Sequence, residues 1–202
     1  MCIRDRSISF SNYGGEKLYL PDGSVVTVPM SGTEYRINNV TGIIGISLNP
    51  NSTVRYVSVG GDGLTEVISF PQSPKINSVN FGYAVNLVKV PTILPPNITS
   101  LNSMFYACTS FNQDLRSWDV SNVTDMYQTF RNASSYNQPL DTWKVSKVEN
   151  MMGMFMYATA FNQNLTQWCV SKITSSPQGF NSYTKLFTED KHPKWGTCPR
   201  GY

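Results

Sequence analysis

Few residues in this chain are of types that do chemistry, and their spacing argues against a reaction centre. His192 is the single histidine and lies between Lys191 and Pro193 in a polar tail. A nucleophile–histidine arrangement needs an imidazole held by packing and oriented by a third group, and nothing around His192 supplies that setting. Gly60-Gly61-Asp62-Gly63 is glycine-rich in the manner of a phosphate or calcium loop. It lacks the following helix with its lysine, and the alternating carboxylates, that such loops need, so it reads as a turn. Asp114, Asp119, Asp125 and Asp141 would have to share one buried cleft to act as a glycosidase pair, whereas they fall on positions expected to be exposed. Cys108, Cys169 and Cys198 have no further ligands near them that suit a metal. No catalytic residue, metal site or cofactor is expected, and the chain reads as a non-enzyme.

The elements that carry these residues are written as a repeat. Phe111-Asn112-Gln113, Tyr136-Asn137-Gln138 and Phe161-Asn162-Gln163 are each followed by a tryptophan, at Trp118, Trp143 and Trp168, a spacing of 25 residues. Phe105/Phe130/Phe155, Cys108/Ala133/Ala158, Leu115/Leu140/Leu165 and Val120/Val145/Val170 keep the same period. A fixed period with apolar residues locked to it predicts a solenoid whose turns stack. Within one turn Val123, Met126, Phe130 and Ala133 recur at helical spacing, which predicts a short helix over Thr124–Asn132. Leu140, Trp143 and Val145 follow as a short strand. The Asn112/Asn137/Asn162 column is expected to bond backbone groups of neighbouring turns, because a buried amide left unpaired is costly.

Composition narrows the class further. Only 14% of residues are charged and the net charge is +3, with no Lys/Arg cluster, so no nucleic-acid partner is expected. No apolar run approaches the roughly 18 residues needed to cross a bilayer. Little charge with much Asn, Ser, Thr and aromatic content suits an extracellular, cell-surface or virion protein.

Five segments follow along the chain. Residues 1–6 are similar to what one reading frame of a sequencing-library adapter encodes, and are expected to be a scar with no part in the fold. Residues 7–38 form a β-hairpin segment, or the tail of an upstream domain, around the turn signal Pro21-Asp22-Gly23. Residues 39–96 read as a β-rich N-terminal cap ending in a degenerate repeat, 97–171 as three repeats, and 172–199 as a C-terminal cap in which Phe180 and Leu186 hold the last aromatic columns.

Met151-x-x-Met154-Phe155-x-x-Ala158-x-x-Phe161-Asn162-Gln163, with Trp168-x-Val170-Ser171, resembles the BspA-type leucine-rich-repeat surface proteins in their methionine-phenylalanine variant. The closing Trp195-Gly196-Thr197-Cys198-Pro199 is similar to the end of many such chains. The resemblance implies an αβ solenoid and a surface or adhesive role with no catalytic residues. Cys108 occupies the small-residue core column, where a thiol behaves as a small hydrophobe. Cys169, on the last full turn, and Cys198, in the closing motif, are expected to form a capping disulfide. The Asn97 and Asn122 sequons coincide with cap positions of the repeat and read as structural.

Outward strand positions place Arg116 beside Asp141 and Asp119 beside Lys144, a face that neutralises itself. The other face is expected to bind. If Met126, Phe130 and Ala133 point inward, Tyr106, Tyr127, Met152, Met156 and Tyr157 share the opposite side with little charge among them. The chain therefore reads as a protein whose solenoid mediates adhesion or recognition of a protein or cell-surface ligand. The rival reading is a structural spacer or decoration module of a phage tail or surface fibre, with no ligand of its own.

Overall fold

The computed structural model describes the backbone of residues 16–19, 25–28, 34–37 and 42–46, and residues 55–70 and 73–201 in full. The expectation for residues 1–6 and the Pro21-Asp22-Gly23 turn lie outside the described residues. The described residues include seven strands: β1 (Glu16–Tyr19), β2 (Val25–Val28), β3 (Glu34–Ile37), β4 (Gly42–Ile46), β5 (Tyr56–Val59), β6 (Leu64–Ser69) and β7 (Ser78–Asn80). One sheet has the order β2-β1-β4-β6 and the other β3-β5-β7. The first opens with β1 and β2 antiparallel, Glu16 opposite Val28 and Tyr19 opposite Val25. Strands from both sides of Asn38–Thr41 share both sheets, so the segments before and after that stretch are joined by pairing.

The second sheet shows how the chain is wound. Glu34 pairs with Tyr56 and Tyr56 with Ser78, both parallel. Isolated parallel bridges then carry the ladder from Ser78 to Ser100, Asp125 and Asn150. Three steps of 22 residues are followed by two of 25, on one continuous line of backbone pairing. The shorter early period is why the sequence pattern fades before residue 100 while the winding does not.

Two expected elements are corrected. Thr124–Asn132 is not helical: it is a run of overlapping tight turns, and the strand expected around Leu140–Val145 is likewise irregular. In place of i→i+4 bonds, alternate amides do different things. Those of Met126, Gln128, Phe130 and Asn132 donate to the carbonyls of Asn150, Met152, Met154 and Met156 in the next turn at 2.8–3.0 Å. The amides between them, Thr129, Arg131 and Ala133, donate three residues back to Met126, Gln128 and Phe130. Residues 101–108 repeat the scheme against 125–131. Such a ribbon still turns residues i, i+3, i+4 and i+7 inward, here Leu101, Met104, Phe105 and Cys108. The apolar pattern that signals a helix is satisfied by it equally well, so periodicity alone cannot separate the two.

In-register stacking brings like residues together. Phe105, Phe130 and Phe155 lie 5.5 and 5.6 Å apart, near parallel, and within each turn Phe130–Tyr136 and Phe155–Phe161 stack at 4.1 and 4.0 Å. Trp118, Trp143 and Trp168 each donate Nε1–H to a carbonyl of an earlier segment, those of Pro91, Leu115 and Leu140, at 2.9–3.0 Å. Asn112 and Asn137 each accept, through Oδ1, the backbone N–H of the asparagine one turn on, at 2.9 Å. Lys191 Nζ donates to Asn162 Oδ1 at the end of that column. At the C-terminal end Phe187, not Leu186, fills the aromatic column: Phe187 is buried and Leu186 is 53% exposed. The last turn has one more residue than its predecessors, which moves the side chain that reaches the core.

Tyr136 stands between Phe111 and Phe161 with its hydroxyl buried and unpartnered among the described residues, and burial holds that phenol well above its ordinary pKa. Tyr136→Phe should therefore raise stability by about 1 kcal/mol, the penalty of a stranded polar group. Trp143→Ala should lower it by about 3–5 kcal/mol. Chemical denaturation followed by tryptophan fluorescence measures both, and a destabilised Tyr136→Phe would show that the hydroxyl has a partner.

Candidate functional site

The residues that suggested chemistry are used in building the fold. Asp114, Asp119 and Asp125 accept the backbone N–H two residues on, at 2.9–3.0 Å, and Asn150 and Asn164 do the same in later turns. These are Asx turns, the local bond that lets a short polar side chain hold a bend. Arg116 and the Ser121 hydroxyl lower the pKa values of Asp114 and Asp119 respectively. The cross-turn ion pairs expected on this face are corrected: Arg116 pairs with Asp114 in its own turn, at 2.6 Å, not with Asp141, and Asp119 caps Ser121 instead of pairing with Lys144. The shorter local reach wins because the turn already aims the guanidinium back at Asp114. Gly61 has φ 133° and Leu64 closes the turn onto its carbonyl at 3.1 Å, so Gly60–Gly63 is a bend before β6.

Cys108 is buried, its thiol donating to the Phe81 carbonyl at 3.2 Å, and burial pushes its pKa well above the usual thiol range. Cys169 and Cys198 are joined by a disulfide, which fastens the closing segment to the last turn beside the bonds from Val170 to Thr197 and from Gly196 to Ile173. His192 belongs to the same end. Its ring lies 4.6 Å from Phe187 and 5.4 Å from Phe180, and its Nε2 is buried without a partner among the described residues.

The outer side of the turn ribbon is different. Tyr83 and Tyr106 lie 5.0 Å apart, the Arg131 guanidinium sits 5.6 Å from the Tyr106 ring centre, and Tyr157 stacks on Tyr183 at 4.3 Å and 2°. These residues follow one another along successive turns and make a row across the stack. Tyr83 and Tyr183 are 64% and 65% exposed, and Tyr157 is 37% exposed. Arg131 has no ion pair among the described residues, and its Nε is buried without a hydrogen bond. The hydroxyl of Tyr106 holds the Tyr83 pKa above its ordinary value, and burial with the Tyr183 hydroxyl does the same for Tyr157, the nearby Arg131 opposing both shifts.

Of the five residues expected on this side, the structure brings Tyr106 and Tyr157 into the row through these contacts. Met156 is half-buried, its Sδ 3.7 Å from the Cβ position of Gly179. Met152 is 37% exposed and Tyr127 half-buried, and neither makes a ring contact with the row among the described residues. Tyr83 and Tyr183 escape the sequence count, and Arg131, although it falls on an outward position of the repeat, is not singled out by it. Tyr83 precedes Ala107 by 24 residues and Tyr183 follows Tyr157 by 26, so a strict period of 25 loses both. The usable signal is backbone shape. Tyr83, Ala107, Asn132, Tyr157 and Tyr183 all have positive φ, between 57° and 66°, which is uncommon for residues other than glycine.

A family profile described as Mycoplasma protein of unknown function, DUF285, matches residues 84–195. That span is more than half of the chain and holds the repeated turns, the Asn column and the C-terminal cap as far as Trp195. The chain belongs to the DUF285 family. No curated protein and no solved structure matches this DUF285 chain. Among the described residues, no helix is long and apolar enough to cross a membrane.

Two expectations concern the closing end. Burial lowers the His192 pKa, against the opposing pull of Glu189 and Asp190. A histidine depressed on folding adds stability above its unfolded value of 6.5, and that stability is lost as pH falls through its folded value. The melting temperature should thus drop on acidification below about pH 6.5 by more in the wild type than in His192→Phe; equal drops would refute it. Reduction of the disulfide, which spans 29 residues, should cost about 3–4 kcal/mol by chain entropy. Denaturation with and without reductant reads that loss.

Proposed function

We propose that this DUF285 chain is a non-enzymatic BspA-type leucine-rich-repeat solenoid that recognises a protein or cell-surface ligand through the row from Tyr83 to Tyr183, outside the cell or on a virion. The observation that carries the reading is the row itself: the exposed rings of Tyr83, Tyr157 and Tyr183 with the half-buried Tyr106, and at its centre an arginine with no ion pair among the described residues. Tyrosine and arginine are the residues that most often anchor protein interfaces. Tyrosine gives broad contact area for little loss of side-chain freedom. Backbone pairing from turn to turn holds the rings at fixed spacing before any partner arrives, and such preorganisation lowers the cost of binding. A spacer has no need of this row; polar side chains would serve its outer face as well.

The test is a Tyr106→Ala, Tyr157→Asn variant, asparagine being chosen because it tolerates the left-handed backbone at 157, where φ is 61°. Beads coated with the protein are offered to cultured cells and to immobilised matrix proteins, after the melting temperature is shown to match wild type. Adhesion should weaken by at least about tenfold, as for the loss of interface anchors, while Tyr127→Ala, off the row, should adhere normally. Unchanged adhesion in the double variant would leave the spacer reading in its place.

A further inference from the structure

One end of the tyrosine row opens into a groove of about 390 Å³, within the roughly 300–1,000 Å³ typical of small-ligand sites. Its origin lies in two glycines. The position that carries Tyr106 and Arg131 in later turns is Gly82 here, with Gly60 against it. A Cβ on Gly60 would come 2.7 Å from the Gly82 carbonyl oxygen, and one on Gly82 would come 2.9 Å from Asn80 Oδ1. Two neighbouring turns therefore present bare backbone where the others present side chains. Asn80 fixes that floor: its Nδ2 donates to the Asn102 and Ser103 carbonyls at 3.2 and 2.8 Å, and its Oδ1 accepts from Gly82 N–H at 2.7 Å.

The chemistry of the walls selects the ligand. Tyr56, Tyr83 and Tyr106 supply rings; Ser58, Ser103 and Gln128 supply hydroxyls and an amide; among the described residues that line the groove, none carries a formal charge. A charged ligand would lose hydration there and gain no counter-charge from these residues. A wholly apolar one would strand the Ser and Gln groups away from water. The fitting ligand has both characters in alternation, with hydroxyls around its rim and C–H groups across its face. Hydroxyls that donate and accept match the amide and serine groups, and weakly positive C–H groups suit the negative face of an aromatic ring. Gln128 makes no side-chain hydrogen bond within the described residues, so its amide is available to such a rim. Arg131, over the Tyr106 ring, is not part of the lining.

We infer that this groove binds a neutral saccharide, with a pyranose ring seated against Tyr83 and Tyr106 and its hydroxyls met by Gln128 and Ser58. The inference rests on the reading of this side as a recognition surface and names the ligand at one end of it.

The full chain is applied to a printed array of neutral oligosaccharides, covering α- and β-linked hexoses and N-acetylhexosamines, with sialylated counterparts. The best neutral hit is then titrated in solution by saturation-transfer NMR at millimolar ligand. Neutral glycans should bind, with no gain on sialylation. Tyr83→Asn and Tyr106→Ala should each weaken binding by about tenfold, the order of a lost ring contact. Asparagine suits position 83, where φ is 66°. Should Tyr106→Ala lower the melting temperature, Tyr83→Asn decides alone, since that side chain is 64% exposed. No neutral binding, binding indifferent to the substitutions, or preference for sialylated glycans would each overturn the inference. A chain that ignores every glycan yet loses bead adhesion on substitution of Tyr106 and Tyr157 overturns the saccharide and keeps the recognition surface. Glycan binding through Tyr83 with adhesion unaffected by that double variant supports the groove while refuting the wider row.

Discussion

The structure depends on where alternate amides of the turn ribbon send their hydrogen bonds. Gln128 N–H donates to Met152 and Arg131 N–H to Gln128, so neighbouring amides point along the stack and back into their own turn by rotation. A helix would turn most of these groups inward on itself, leaving only those of its ends, and would give a turn little to hold its neighbour. Here half of the donors are satisfied only if the next turn is present. A buried donor without a partner costs about 1–3 kcal/mol, so the turns are bound to one another by the requirement that none be left unpaired. No turn can complete its backbone alone, and stability accrues between neighbours.

That constraint sets the core. Strand-like pairing in register puts equivalent residues directly above one another, and the aromatic columns follow: Phe105 on Phe130 on Phe155, and Trp143 on Trp168 at 6.4 Å and 6°. The indole N–H groups reach back to an earlier carbonyl, the asparagine column links the bends, and Thr129 satisfies its buried hydroxyl on the Leu101 and Met126 carbonyls. Tyr136 is the exception, a hydroxyl in a column of phenylalanines. The same register tolerates a change of turn length, because the extra residues of a 25-residue step over a 22-residue step fall between the paired positions.

It sets the outer face as well. To alternate its amides the ribbon must pass through left-handed backbone at regular places, seen at Gln128, Asn132, Gly153 and Tyr157. Side chains at and beside these places cannot enter the core, and stacking turns lines them up in rows. A row of tyrosines interrupted by Arg131 is one outcome; a gap where Gly60 and Gly82 meet is another. Both the aromatic row and the groove at its end are consequences of the same register, read on the side away from the core.

The repeat, its core columns and the bonding role of the asparagines were all legible from residue types and spacing. Apolar periodicity reports which side chains turn inward, and it does so whatever the backbone is doing. Periodicity does not report hydrogen-bond partners. Hence Thr124–Asn132 reads as a helix and proves to be a turn ribbon. The ladder back to Glu34 is invisible at a period of 25, and one inserted residue makes Leu186 look like the core residue when Phe187 holds that place. The candidate site shows the same division. Tyr106 and Tyr157 can be placed outside by counting. The pairing of Tyr83 with Tyr106, the seat of Arg131 over a ring, and the groove above two glycines required neighbouring turns to be set against each other. Those contacts join residues 22 to 26 positions apart, where a single missing or extra residue changes which side chains meet, and only the stacked backbone decides that.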